Sequence, residues 1–226
     1  SRGGSAVLVA GGATAVSIGT DTGDSVRKPA AYNGIIGVKP TYGRISRYGI
    51  IPYASSLDHV GYFTTNVEDA CTMLEVLAGR DDRDMTSSLR PVEAYRDHLN
   101  SDLRGKVIGV LENVQEVIRD QAIRDNVEAL CEKLAARGAQ IRRVRMPQEL
   151  METILPVYLT IANAEATANH SNLDGIRFGM REDGESVEEV MKNSRTKGFS
   201  AYVRERFIIG SYSLFVENQD KLFRKA

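Results

Sequence analysis

The stretch from Gly19 to Ala30, GTDTGDSVRKPA, sets Thr22, Gly23, Asp24 and Ser25 between an aspartate, Asp21, and an arginine, Arg27. A serine directly after a short glycine-containing turn suits acyl transfer. Attack on an amide carbonyl needs an activated hydroxyl and N–H donors aimed at the developing oxyanion. Gly23 permits dihedrals that let successive amides converge on one pocket. Thr22, Gly23, Asp24 and Ser25 offer those amides, and Ser25 offers the hydroxyl. A glycine-rich loop also suggests phosphate binding. Neither SRGGSA nor TDTGDSVRK, however, has the Lys-Ser/Thr pair of a phosphate loop or the glycine spacing of a dinucleotide turn.

Ser25 needs a base. Only His59, His98 and His170 exist, and no G-x-S-x-G elbow surrounds Ser25, so a histidine-based triad is poorly served. A serine–lysine system is the remaining common arrangement, and it requires a buried lysine of lowered pKa. No lysine precedes Lys28.

The elements that must position this turn follow from periodicity. The glycine-rich opening, residues 1 to 23, reads as loops around short buried elements. Tyr32 to Val38 (YNGIIGV) reads as a buried strand, and Lys39 to Asp58 as an extended, turn-rich excursion. Ala70, Met73, Leu74 and Leu77 fall at i, i+3, i+4 and i+7, with Asn66 as a start cap and Gly79 as a stop, which predicts a helix. Lys106 to Leu111 predicts a strand, Gln121 to Arg137 a helix, and AQIRRV a second strand after Gly138. That order implies a crossover unit in a parallel sheet. From Pro147 onward the pattern is helical, with a polar break at Arg181 to Ser186 (REDGES).

The totals narrow the class. Across 226 residues, 29 Lys and Arg nearly balance 30 Asp and Glu, so no net field calls for a polyanionic partner. Cys71 and Cys131 lie far apart in apolar helical patterns, which argues against a disulfide framework and for a reducing compartment, the cytoplasm. The His and Cys residues have no metal-ligand spacing. No apolar run approaches the ~20 residues of a membrane span. The opening in loop chemistry without an initiator Met, and a stop inside KLFRKA, lead us to expect a piece of a longer protein.

SRGGS followed by GTDTGDSVRKPAAYNGIIGVKPTYGRISRYG resembles the amidase signature family, whose pattern is a Ser-Ser-Gly-Gly-Ser loop and then a Gly-Gly-Ser-hydrophobic-Arg turn. That family uses a Ser, cis-Ser, Lys triad with its two serines 24 residues apart, the spacing of Ser1 and Ser25. The resemblance implies Ser25 as nucleophile and Ser1 as the cis-serine that relays its proton to a lysine. It also implies an oxyanion hole from the backbone of Thr22, Gly23 and Asp24 through Ser25, and a bracing pair of Asp21 and Arg27. The family's lysine falls upstream of Ser1, so this chain alone is expected not to turn over amides. Two residues depart from the pattern. Asp24 stands where Gly is commonest and sets a carboxylate beside the oxyanion, with Arg2 or Lys28 as its candidate partner; Arg2 itself replaces a serine.

Within the family, SRYGIIPYASSLDHVG, AEATANHSNLDGIRFG and SRTKGFSAYVRERFIIGSY resemble the glutamine-hydrolysing subunits of tRNA-dependent amidotransferases, over essentially the whole chain. This implies glutamine as amido donor and transfer of ammonia to partner subunits B and C. It implies no cofactor in this chain, ATP and Mg at the partner, tRNA met only indirectly, and no membrane. Tyr158 and Arg206 match the positions that hold glutamine, and a planar guanidinium suits its α-carboxylate. The acidic group for the α-amine is expected beyond Ala226. The implied fold is α/β, a mixed β-sheet flanked by α-helices and truncated at both termini, with residues 1–226 as a single partial domain. Two alternatives stay open: a stand-alone amidase of broad specificity, and a non-catalytic assembly scaffold with a decayed site.

Overall fold

The computed structural model describes residues 1–177 and 179–226. These form two compact units, one of Ser1–Asp97 with Val157–Ala226 and one of His98–Pro156.

In the first unit the chain starts with α1 (Gly3–Ala10), followed by β1 (Ser17–Asp21), α2 (Arg27–Asn33), β2 (Ile36–Val38), β3 (His59–Thr64) and α3 (Val67–Leu77). The three strands make one antiparallel sheet in the order β1-β3-β2. Asp21 sits opposite His59 and Ser17 opposite Phe63 on one edge of β3, and Val38 sits opposite Tyr62 on the other. Strand β3 is the centre, and its alternation sends neighbouring side chains to two cores. Phe63, fully buried, packs with Ala6, Val9, Val26 and Ala30. Tyr62, also fully buried, packs with Ile45, Val60 and Ala70, and its hydroxyl donates to Ala70 O at 2.6 Å. Burying a side chain of that size stabilises by roughly 1.5–3 kcal/mol.

Two expectations change here. The opening is helical between Gly3 and Ala10, because Ala6 and Val9 are small enough to seat α1 on the Phe63 core; tertiary packing overrides the low helix propensity of its two glycines. The segment Tyr32 to Val38 is not one strand. Tyr32 and Asn33 finish α2, Gly34 turns the chain with φ +65°, and pairing starts only at Ile36. The buried look of YNGIIGV came from two elements sharing one apolar run.

The helix expected around Ala70 forms over α3. Asn66 accepts a bond from Asp69 N at 2.8 Å, and Gly79 follows with φ +139°.

The second unit holds β4 (Val107–Leu111), α4 (Glu112–Val117), α5 (Gln121–Ala136) and β5 (Gln140–Val144). Strands β4 and β5 pair in parallel with Val107 opposite Gln140, so the expected strand–helix–strand crossover is present. Asp120 caps α5 through Ala122 N at 2.8 Å. Helix α6 (Gln148–Asn169) begins in this unit, and its residues from Val157 on belong to the first.

The first unit resumes with α7 (Val187–Gly198), α8 (Ala201–Leu214) and α9 (Val216–Gln219). The polar break ends at Ser186, which caps α7 by accepting from Glu189 N at 3.2 Å. Helices α6 and α8 approach so closely at Gly210 that a Cβ there would run into Asn163 O and Thr167 Oγ1. This contact fixes the position of Arg206 one turn earlier on α8. Among the described residues no helix is long and apolar enough to cross a membrane, and no group of three or more His, Cys, Asp or Glu could hold a metal ion. Cys71 and Cys131 are free thiols.

Candidate active site

Strand β1 delivers Asp21 to the edge of the site with its carboxylate wholly buried. Both oxygens are used. Oδ2 accepts from Val26 N (3.1 Å), Arg27 N (3.3 Å) and Arg27 Nε (3.1 Å), while Oδ1 accepts from Arg27 Nη2 (3.0 Å). Burial alone would raise the Asp21 pKa; the Arg27 guanidinium and the two backbone amides outweigh it and hold the pKa below the ordinary carboxylate value. Asp21 and Arg27 form a charge pair that ties the first turn of α2 to the end of β1.

Between them the chain makes a turn whose polar groups are sorted by type. Three of its carbonyls are occupied: Gly23 O accepts from Arg27 Nη2, Asp24 O from Lys28 N at 2.9 Å, and Ser25 O from Arg2 N at 3.0 Å. The amides of Thr22, Gly23, Asp24 and Ser25 have no acceptor among the described residues. Successive N–H groups without a protein acceptor are the raw material of an anion-binding turn. The half-buried Ser25 hydroxyl also makes no hydrogen bond to a described residue, which leaves it available at the turn's end.

The Arg2 N to Ser25 O bond brings the two serines of the sequence motif within one peptide unit of each other, although 24 residues separate them. The side chain of Arg2 goes elsewhere, donating through Nε to Thr20 Oγ1 at 3.0 Å. Asp24 is paired with Lys28 one turn along, and that side-chain bond, with the carboxylate's charge, raises the Lys28 pKa. Of the two partners considered for Asp24, Lys28 is the one found, so the carboxylate is drawn toward a cation on the first turn of α2.

Tyr158, on α6, lies against this turn. A Cβ on residue 23 would stand 2.8 Å from its hydroxyl oxygen and 2.9 Å from Cζ, so only glycine lets the ring approach the backbone there. Burial is the main cause that raises the Tyr158 pKa, reinforced by Tyr53 and opposed by Arg206, which marks all three as neighbours. Arg206 donates from Nη1 to Tyr53 Oη at 2.8 Å and from Nη2 to Tyr202 Oη, and its guanidinium lies over the Tyr202 ring, 4.5 Å from the centroid. The structure thus gathers Tyr158 and Arg206 beside the Ser25 turn. Ser1 is exposed at the chain start.

Three residues of this site were not singled out by the sequence reading: Tyr53, Asp58 and Tyr202. Asp58 is buried and accepts from Thr22 Oγ1 at 2.5 Å, Tyr53 N at 2.8 Å and Ala54 N at 3.1 Å. Only Tyr202 had a usable cue, its i, i+4 spacing to Arg206 on a helical pattern. His59 and His170 sit near the site as packing residues. His59 donates Nδ1–H to Leu57 O at 2.7 Å and packs edge-on to Tyr42 at 5.3 Å, whereas His170 lies between the Tyr53 and Phe207 rings at 5.8 Å from each.

The chain is 42% identical over 226 residues to the A subunit of the glutamyl-tRNA(Gln) amidotransferase of Lactobacillus delbrueckii subsp. bulgaricus, an alignment covering all of this chain and 47% of the relative. The crystal structure of the corresponding A subunit from Thermotoga maritima superposes with a TM-score of 0.72 at 31% identity, covering 98% of this chain and 43% of the other. A structure described as an amidase superposes with a TM-score of 0.70 at 33% identity, covering 96% and 42%. The chain spans about half the length of the curated relatives it matches. The model of the Amidase family matches residues 1–226, and the chain belongs to the amidase family with its mixed α/β fold.

Proposed function

We propose that the chain carries the acyl-transfer site of a glutamine-hydrolysing subunit of a tRNA-dependent amidotransferase. The observation that carries this reading is the turn Thr22–Ser25, with the carbonyls of Gly23, Asp24 and Ser25 occupied and its four amides without an acceptor among the described residues. The Ser25 hydroxyl attacks the side-chain carboxamide carbon of glutamine, and the negative charge that develops on the carbonyl oxygen is met by the amides of Thr22, Gly23 and Asp24 through Ser25. Ser1 passes the proton of Ser25 to a lysine contributed by the part of the protein upstream of this chain, and that proton leaves with the amide nitrogen as ammonia. Water then cleaves the γ-glutamyl ester, returning Ser25 and releasing glutamate. Asp21 and Arg27 hold the turn rigid and touch no reacting atom.

Arg206 and Tyr158 bind the amino-acid end of glutamine. The guanidinium takes the α-carboxylate, and the tyrosine hydroxyl adds a hydrogen bond. Partner subunits B and C use the ammonia to amidate Glu-tRNA(Gln), with ATP and Mg at the partner and tRNA met there. This chain itself needs no cofactor, and the cytoplasm supplies the setting. The similarity to a structure described simply as an amidase favours a second reading, a stand-alone amidase that needs no partner.

The experiment is ammonia release from glutamine and from a neutral primary amide by the complete protein with its partners, and by its Ser25→Ala variant. Release that prefers glutamine and falls at least about 10⁴-fold in the variant supports the proposal. Equal use of both amides without partners favours the stand-alone amidase, and no release at all favours a scaffold.

A further inference from the structure

We propose that Tyr53 and Asp58 couple the anchor for the substrate's charged end to the turn that bears Ser25. This deepens the reading above and rests on its assignment of Arg206. Asp58 is a buried carboxylate with both oxygens engaged: Oδ1 takes the Thr22 hydroxyl, and Oδ2 takes the amides of Tyr53 and Ala54. One of its partners therefore belongs to the oxyanion turn and the other two to the loop that carries Tyr53. The Tyr53 hydroxyl accepts from Arg206 Nη1 at 2.8 Å. Hydrogen bonds, joined through the covalent frame of Tyr53 from its amide to its hydroxyl, link Thr22, Asp58, Tyr53 and Arg206 from the turn to the guanidinium.

The loop has little freedom to break that chain. Asn169 on α6 donates to Tyr53 O at 3.1 Å and to Ser55 Oγ at 3.0 Å, and Glu165, one turn earlier, accepts from Ser56 N at 2.9 Å and from the Ser56 hydroxyl. Tyr53 on Nη1 and Tyr202 on Nη2 set the plane of the Arg206 fork and leave three of its five N–H groups for a carboxylate. A bidentate contact tolerates little rotation of that plane. Tyr53 and Asp58 are positioning residues: they act through Arg206 and through the turn, and they make a neutral amide a poorer substrate than one with a carboxylate at the right distance.

The test uses the complete protein with its partners, and two amides, glutamine and a neutral primary amide. Tyr53→Phe removes only the hydroxyl that Arg206 meets. The expected result is a roughly five- to tenfold loss in the glutamine-to-neutral-amide ratio of kcat/KM, the worth of one hydrogen bond, carried by KM for glutamine. Thr22→Val cuts the same chain at its other end. It is expected to raise the glutamine KM as well, with an effect that fails to add to that of Tyr53→Phe in a double-mutant cycle. A wild-type protein without preference for glutamine would overturn the assignment of Arg206, and this inference with it. A wild-type preference that Tyr53→Phe leaves intact, or effects of the two variants on KM that add fully, would overturn the inference alone.

Discussion

The crossover β4–α5–β5 and the turn before α2 are built by opposite means. The crossover repeats a local pattern: Ile123, Val127, Leu130 and Leu134 recur along α5, Asp120 caps it, and its ion pairs lie at the surface, Arg143 with Glu128 and Arg145 with Glu112 and Glu116. The turn repeats nothing. It is held by two buried carboxylates, Asp21 and Asp58, whose partners are chiefly backbone amides and hydroxyl or guanidinium groups reached through the fold. Surface pairs in water contribute little and are easily replaced. A buried carboxylate that satisfies several donors cannot be removed without orphaning them. The region we propose as the reacting centre is the one built from contacts that are hard to replace.

The contrast breaks most visibly at Asp21. Asp21→Ala strips an acceptor from two backbone amides and from Arg27, so thermal or denaturant unfolding should show a loss of about 3 kcal/mol. Ammonia release by the complete protein should fall by at least about 10²-fold. A variant that keeps its activity would mean that the turn holds its shape without the carboxylate. Gly23→Ala sets a methyl 2.8 Å from the Tyr158 hydroxyl and forces the ring or the turn to move. A loss on the order of 10²-fold in kcat/KM with stability nearly kept is expected, since small displacements at the reacting centre are costly.

Acid sharpens the contrast in another way. Burial depresses the pKa of both His59 and His170, so the unfolded chain binds protons that the folded one refuses. Their contribution is complete above the ordinary histidine pKa of about 6.5 and is lost as pH falls from there through the lower folded values. Asp21, also depressed, adds a second loss below the ordinary carboxylate pKa of about 3.9. There is no Trp, and all nine Tyr lie outside the second unit, so tyrosine fluorescence reports the first unit alone. Its unfolding temperature should drop as the pH is lowered from about 7.5 to about 5.5, across the histidine range; a flat profile would show that the two histidines titrate as they do in the unfolded chain. Glu128→Gln should do least of all, with the helical circular dichroism melt unchanged within error, because its pair with Arg143 is exposed.

What could be read in advance divides along the same line. The α3 and α5 helices and the parallel pair were visible because apolar spacing, caps and stops agree locally. Ser25, its flanking Asp21 and Arg27, and the distant Ser1 were visible as a motif, a different kind of signal from periodicity. Helix α1 was hidden because its glycines oppose what the Phe63 core imposes. Asp58 and Tyr53 were hidden because their roles depend on partners 36 and 153 residues away, Thr22 and Arg206.

That Ser25 is the nucleophile is tested most directly by stopping the complete protein during glutamine turnover and mapping covalent adducts by peptide mass spectrometry. The account predicts a γ-glutamyl ester on the peptide that contains Ser25, confined to that residue on fragmentation and absent from Ser25→Ala. An adduct on any other residue, or undiminished turnover by Ser25→Ala, would contradict it.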